Sequence, residues 1–283
     1  VYPAPPPAQL NDQFSPAEFM SGAGELMDNL LNVPVRMVNG RFDPIVNYGF
    51  AAQDTAWLEA MRHDYKAWVL ERRHHEVVPA MTACVLNEAV AKRRRTNPAR
   101  IVFRVEPETF AKDEVSGLDL RYDAAYWISD VNVREKATVG DVVAESHALG
   151  TNPDREPIRG ADLFGASDLC GNPRSSGGES WTMIGTKSVP GRIGGLNALS
   201  VTLHEVSEAT LDLTRARIDT REPIALTVRW RGPSDLLLRG PWTGDVSVVA
   251  DGQVRRVLTP TGDTLKLDLD GLDERTMLLV QSS

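Results

Sequence analysis

The chain has no long hydrophobic run, few cysteines and no surplus of basic charge, and each shortage removes a class of protein. No stretch approaches the roughly 20 consecutive apolar residues that a membrane-spanning helix requires, so a membrane is not an expected partner. Basic side chains number 31 against 39 acidic ones, for a formal net charge of −8. A general nucleic-acid binder would need a strongly basic face, so nucleic acid is not expected either. The one basic run, Lys92 to Arg95, closes a helical stretch, where cations complement the helix dipole. The cysteines Cys84 and Cys170 allow one disulfide or two thiols, but no disulfide scaffold. The first residues, Val1 to Ala8 (VYPAPPPA), offer neither a basic nor an apolar signal region. With no initiator methionine before them, they point to an upstream segment removed by processing.

What is present is ordinary globular composition: 42% hydrophobic and 25% charged residues in a length of 283, enough for two domains. Residues 1–16 are rich in proline, which fixes φ and lacks a donor, and read as an extended arm. Residues 17–98 then alternate. Ser15 before Pro16 opens a helical stretch to Leu31. Val33 to Val38 is a short apolar run closed by Asn39-Gly40, the mark of a buried strand and a turn. Ala56, Trp57, Ala60 and Met61 predict a helical face within residues 51–63. Tyr65 to Leu70 predicts a second strand, and Met81, Val85, Leu86 and Val90 predict a helix to Lys92. Strand, helix, strand, helix implies a parallel sheet with crossover helices.

Residues 99–283 have another texture. Period-2 alternation recurs at Leu199, Val201, Leu203, at Ile224, Leu226, Val228, and at Leu265, Leu267, Leu269, and needs one buried and one wet face. Asp251-Gly252 between valines signals a hairpin. A β-sandwich or jelly-roll-like domain is expected, with residues 150–178, rich in Gly, Pro, Asp and Ser, forming a long loop.

Two clusters follow the predicted strands. Asp43, in Gly40-Arg41-Phe42-Asp43-Pro44, stands at the C-terminal end of the first, where open α/β folds place their sites; an Asp that merely caps its turn is the plainer reading. Arg72-Arg73-His74-His75-Glu76 follows the second. An Asp and a His on one rim would make a proton-transferring base with an orienting carboxylate. His-His-Glu lacks the HExxH helix spacing of a zinc site, so no metal and no other cofactor is expected. Trp57 and Trp68 read as core, Gly191 to Gly195 as a turn rather than a dinucleotide loop, and His147 and His204 as residues of the β region with nothing to suggest ligation.

Residues 26–93, LMDNLLNVPVRMVNGRFDPIVNYGF followed by YKAWVLERRHHEVVP, resemble the C-terminal half of an α/β hydrolase of the prolyl-oligopeptidase-like secreted bacterial type. In that family a G-x-x-D-x-x-V turn supplies the triad acid, and Gly40, Asp43 and Val46 match it. The base follows the next strand, where His75 stands; His74 takes the place of the usual acidic residue and is a lesser candidate base. Asp123 to Ile128 resembles the start of the all-β C-terminal extension of some members. The resemblance implies an α/β fold, the C-terminal part of a hydrolase sheet, followed by the β-sandwich.

The family's order is Ser, Asp, His, with the serine in a G-x-S-x-G elbow. No elbow occurs here. Ser167 in Gly165-Ala166-Ser167-Asp168 lacks the second glycine and comes after the histidine, while Ser175 and Ser176 lie in polar loop sequence. The implied protein is a secreted or cell-surface serine hydrolase, an esterase or peptidase acting on a small or polymeric ester or amide. Its nucleophile would sit on an N-terminal hydrolase fragment or subunit that stays bound. The rival expectation is a non-catalytic binding or structural chain made of a hydrolase remnant and a β-sandwich.

Overall fold

The computed structural model describes residues 27–45, 47–75, 79–91, 96–106, 122–151, 154–173, 178–189, 194–270 and 275–282. Among these residues fifteen strands accompany two α-helices, in three sheets that all mix parallel and antiparallel pairs. That balance overturns the expected α/β class. The chain is mostly β, and helices do not alternate with strands beyond its first third. The proline-rich arm and the helix opening at Pro16 lie outside the described residues, apart from a 3-10 turn at Met27–Leu30.

The chain divides into two units, one from the described residues of 1–95 and 153–190, the other from those of 96–152 and 191–283. In the first, β1 (Val35–Gly40) pairs in parallel with β2 (Tyr65–Leu70). On its other side β2 pairs with the hairpin of β6 (Asp154–Asp162) and β7 (Trp181–Val189), giving the order β1-β2-β7-β6. The sheet is therefore mixed, where the strand-helix-strand-helix pattern predicted a parallel one. The hairpin also places a nine-residue strand inside the stretch expected to be loop. Its polar alternation, exposed on most positions, carries no apolar signal to reveal it.

Period-2 geometry sends successive β2 side chains to opposite faces. Tyr65 and Ala67 pack with Leu58 of α1 (Tyr48–Ala60), while Trp68 and Leu70 pack with Val85 of α2 (Pro79–Ala91). One helix thus lies on each face, and β2 is apolar at nearly every position because both faces are covered. Asn47 caps α1, its side chain accepting from the Gly49 N–H at 2.7 Å. The buried face of α1 is Ala51, Thr55 and Leu58, rotated from the face read in the sequence, so Trp57 is exposed while Trp68 is core. Full burial of a side chain such as Leu58 contributes roughly 1.5–3 kcal/mol.

The second unit is β-sandwich-like. A seven-stranded sheet runs β13-β12-β15-β10-β8-β5-β3, and a four-stranded one β14-β11-β9-β4. The large sheet includes β3 (Arg100–Val105), β5 (Gly140–Ser146), β8 (Ala198–His204), β10 (Ile224–Trp230), β12 (Val246–Ala250), β13 (Gln253–Leu258) and β15 (Arg275–Gln281). The small one holds β4 (Ile128–Val133), β9 (Val206–Asp212), β11 (Asp235–Arg239) and β14 (Thr264–Asp268). The alternating residues of both sheets, Leu199, Leu226 and Val142 with Leu236, Leu265 and Leu211, meet in one core with Trp127. Asp251 and Gly252, both at positive φ, make the β12–β13 hairpin turn.

Candidate functional site

In the first unit, the register aligns Gly40 with Leu70, Leu70 with Trp181, and Trp181 with Asp162. The segments after β1, β2 and β6 therefore leave the sheet at one rim. There the carboxylate of Asp43 meets the imidazole of His75, with Nδ1 2.8 Å from Oδ2. An ionised carboxylate can only accept, so the proton of this bond sits on Nδ1. The second oxygen, Oδ1, accepts the Ile45 N–H at 2.8 Å. Asp43 thus caps its turn with one oxygen and bonds the imidazole with the other. The Asp43 side chain is 7% exposed and that of His75 is 52% exposed. The acid is sheltered and the base is open. Among the described residues Nε2 of His75 has no hydrogen-bond partner.

The two turns are brought together by backbone. The Phe42 N–H donates to the Arg73 carbonyl and the Arg41 N–H to the Leu70 carbonyl, both at 2.9 Å. Gly40 makes this possible: a Cβ there would stand 1.9 Å from the His74 carbonyl oxygen and 2.6 Å from that of Arg73. The sequence marks Gly40 as part of a turn, but not as the point where the second loop crosses the first. His74 lies beside Phe42, with ring centroids 6.2 Å apart, and the hydrogen bond to Asp43 at this rim is made by its neighbour. Val46 and Glu76 lie outside the described residues.

Sequence reading missed the brace beneath the pair. Arg41 holds Glu71 through two bonds of 3.0 and 2.9 Å, Thr182 donates to Glu71 at 2.7 Å, and the Arg41 guanidinium stacks 4.5 Å from the Tyr48 ring centre. The bonds from Arg41 hold the Glu71 carboxyl below its ordinary range, with Thr182 adding to the effect. The same contact raises the Arg41 pKa. Arg73 pairs with Glu179, just ahead of β7, so the loop after β1 is tied to the loop after β2 and the latter to the chain entering β7. The register that sets Gly40 opposite Leu70 also sets Arg41 opposite Glu71, and that was the signal available.

Ser167 lies in the segment that follows β6. Its hydroxyl donates to Asp162 at 2.8 Å and its N–H to the same oxygen at 2.5 Å, and the hydroxyl bond is the main reason the Asp162 carboxyl is lowered to about 2. The hydroxyl proton is committed to a carboxylate rather than to an imidazole. Ser175 and Ser176 lie outside the described residues. Cys170 is disulfide-bonded, and Cys84 is the chain's one other cysteine. In the second unit His147 bonds Ser200 at 2.9 Å, and His204 stands 3.7 Å from Asp141. Among the described residues no group of three or more His, Cys, Asp or Glu is placed to hold a metal ion. No helix among them is long and apolar enough to cross a membrane.

No protein-family model matches the chain, and no curated protein matches it in sequence.

Proposed function

We propose that Asp43 and His75 are the acid and base of a serine hydrolase acting on ester or amide bonds, with the nucleophile supplied by a segment or partner chain other than this one. The observation that carries the reading is the 2.8 Å bond from Nδ1 of a half-exposed imidazole to a sheltered carboxylate. Asp43 holds the tautomer that keeps the lone pair on Nε2, and its charge stabilises the imidazolium that forms when Nε2 takes a proton. His75 removes the serine proton during attack and returns it to the leaving group. The likeness of the Gly40-to-Asp43 turn and the His75 loop to those of prolyl-oligopeptidase-like hydrolases supports the same roles. The likeness is local to those two turns. His74, with its ring beside Phe42, has no role in this scheme.

The disulfide at Cys170 supports an oxidising compartment, in keeping with a secreted or cell-surface protein. The sequence holds no G-x-S-x-G elbow, and the hydroxyl of Ser167 is engaged by Asp162, which is why the nucleophile is assigned elsewhere. The test is a serine-directed fluorophosphonate probe applied to the native preparation and resolved under denaturing conditions. Label is expected on a second polypeptide, and it should be lost when His75→Ala replaces the wild-type chain. Label on this chain would move the nucleophile here, and no label anywhere would favour a binding or structural role.

A further inference from the structure

The geometry points to a second activity of the same imidazole: His75 Nε2 itself accepts acyl groups from activated esters, so that the chain hydrolyses aryl esters without any serine. This inference rests on the pair's geometry and not on the serine reading.

The five histidines of the chain are unequally placed for such chemistry. His63 is fully buried, and burial lowers the pKa of its imidazole. His147 has Nε2 engaged by Ser200 at 2.9 Å. His74 lies against the Phe42 ring. His204 is a natural control for His75, since their side chains are 53% and 52% exposed and each stands near one aspartate. They differ in the contact. At 3.7 Å the Asp141 oxygen is beyond hydrogen-bond reach of His204, and Asp141 already accepts from the Arg104 guanidinium at 2.6 Å. At 2.8 Å Asp43 accepts the Nδ1 proton of His75.

A carboxylate bonded to one ring nitrogen fixes the tautomer and the orientation of the ring. Nε2 of His75, on a half-exposed side chain, therefore carries an oriented lone pair. In the reaction that lone pair attacks the carbonyl carbon, a C–N bond forms, and the aryl oxygen leaves as aryloxide with the bonding electrons. The acyl-imidazolium left on His75 keeps its proton on Nδ1, donated to Asp43, whose negative charge balances it. Water then attacks the acyl carbon and loses one proton to the solvent, where it neutralises the aryloxide; the C–N bond breaks with its electrons returning to Nε2, and a carboxylic acid, a phenol and the starting imidazole result. No oxidant, reductant or further reactant is needed. The leaving group must be weakly basic, because the imidazole would otherwise be expelled from the adduct in its place. Aryl esters of short carboxylic acids meet that condition, and alkyl esters and amides do not.

The experiment uses the purified full-length chain, treated beforehand with a fluorophosphonate so that any serine hydrolase is silent, and p-nitrophenyl acetate as the acyl donor. Turnover that survives the treatment is expected. His75→Ala should remove most of it, Asp43→Asn should lower it, and His204→Ala should leave it unchanged. Diethyl pyrocarbonate on the unaltered chain provides a readout that needs no variant, with His75 carbethoxylated faster than His204 when the products are mapped by mass spectrometry. Equal turnover in wild type and His75→Ala, or modification of His204 at least as fast as His75, would overturn the inference. A fluorophosphonate-labelled partner could be present or absent in either case, so the serine reading stands or falls separately.

Discussion

Each unit carries a half-exposed histidine beside an aspartate, yet only one of the two pairs is bonded. In the first unit Asp43 and His75 come from two loops that leave adjacent parallel strands at one rim, and a sheltered carboxylate meets Nδ1 at 2.8 Å. In the second, Asp141 and His204 face each other across the antiparallel β5–β8 pair, 3.7 Å apart, and the carboxylate is held by Arg104. The residue types and the exposure of the two histidines are alike. What differs is that Gly40 allows one loop to cross the other, so that a carboxylate can be committed to an imidazole. Cross-strand neighbours on an open sheet face have no such constraint, and a guanidinium takes the carboxylate instead.

The comparison is broken most sharply by activity. On the proposed function, His75→Ala in the native preparation should lower turnover by about 10²–10⁴-fold, the range expected for loss of a positioned base, while His204→Ala leaves it unchanged. Steady-state kinetics on the two variants gives the answer, and an equal loss in both would dissolve the distinction. Next in size is the support beneath the rim. Trp68→Ala, at a fully buried position between β2 and α2, should cost about 3–5 kcal/mol in denaturant unfolding. A cost under 1 kcal/mol would mean that this core is not what holds the loops.

Gly40→Val should destabilise the first unit by about 1–3 kcal/mol through overpacking against the His74 and Arg73 carbonyls. It should also break the His75–Asp43 bond, a loss visible in the imidazole NMR signals. A variant that keeps both stability and the bond would remove the steric account of Gly40. The smallest effect belongs to the brace: Glu71→Gln should cost about 1 kcal/mol at neutral pH, the upper end for a partly exposed ion pair. Because Arg41 depresses the Glu71 carboxyl from its ordinary 4.5, this stabilisation is present above that value and is lost as pH falls through the lower folded value. Wild type and Glu71→Gln should therefore differ in denaturant midpoint at pH 7 and converge at strongly acid pH.

Local patterns in the sequence carried the strands and the two chemical residues, because both depend on neighbours in the chain. Tyr65–Leu70 is apolar on both faces and reads as a strand without ambiguity, and the alternation at Leu199, Ile224 and Leu265 declares one buried face. Asp43 and His75 were legible because each directly follows such a strand. Long-range pairing was not. The β6–β7 hairpin returns from more than 80 residues downstream to cover β2, and polar residues such as Arg155, Glu156 and Arg159 in β6 give no apolar stripe to read. That hairpin is the reason the first unit's sheet is mixed. The α1 face was misjudged because the apolar spacing at Ala56, Trp57, Ala60 and Met61 passes over Thr55, which is buried, whereas Trp57 faces solvent.

The bond at the rim requires His75 to carry its proton on Nδ1 and its lone pair on Nε2. Long-range ¹H–¹⁵N correlation on the histidine rings of the intact chain at neutral pH tests it directly. His75 is expected in the Nδ1–H form, with an Nδ1 proton shifted downfield by its carboxylate partner and that shift abolished by Asp43→Asn. His204 is expected to show no such proton. An Nε2–H tautomer at His75, or a spectrum indifferent to Asp43→Asn, would contradict it.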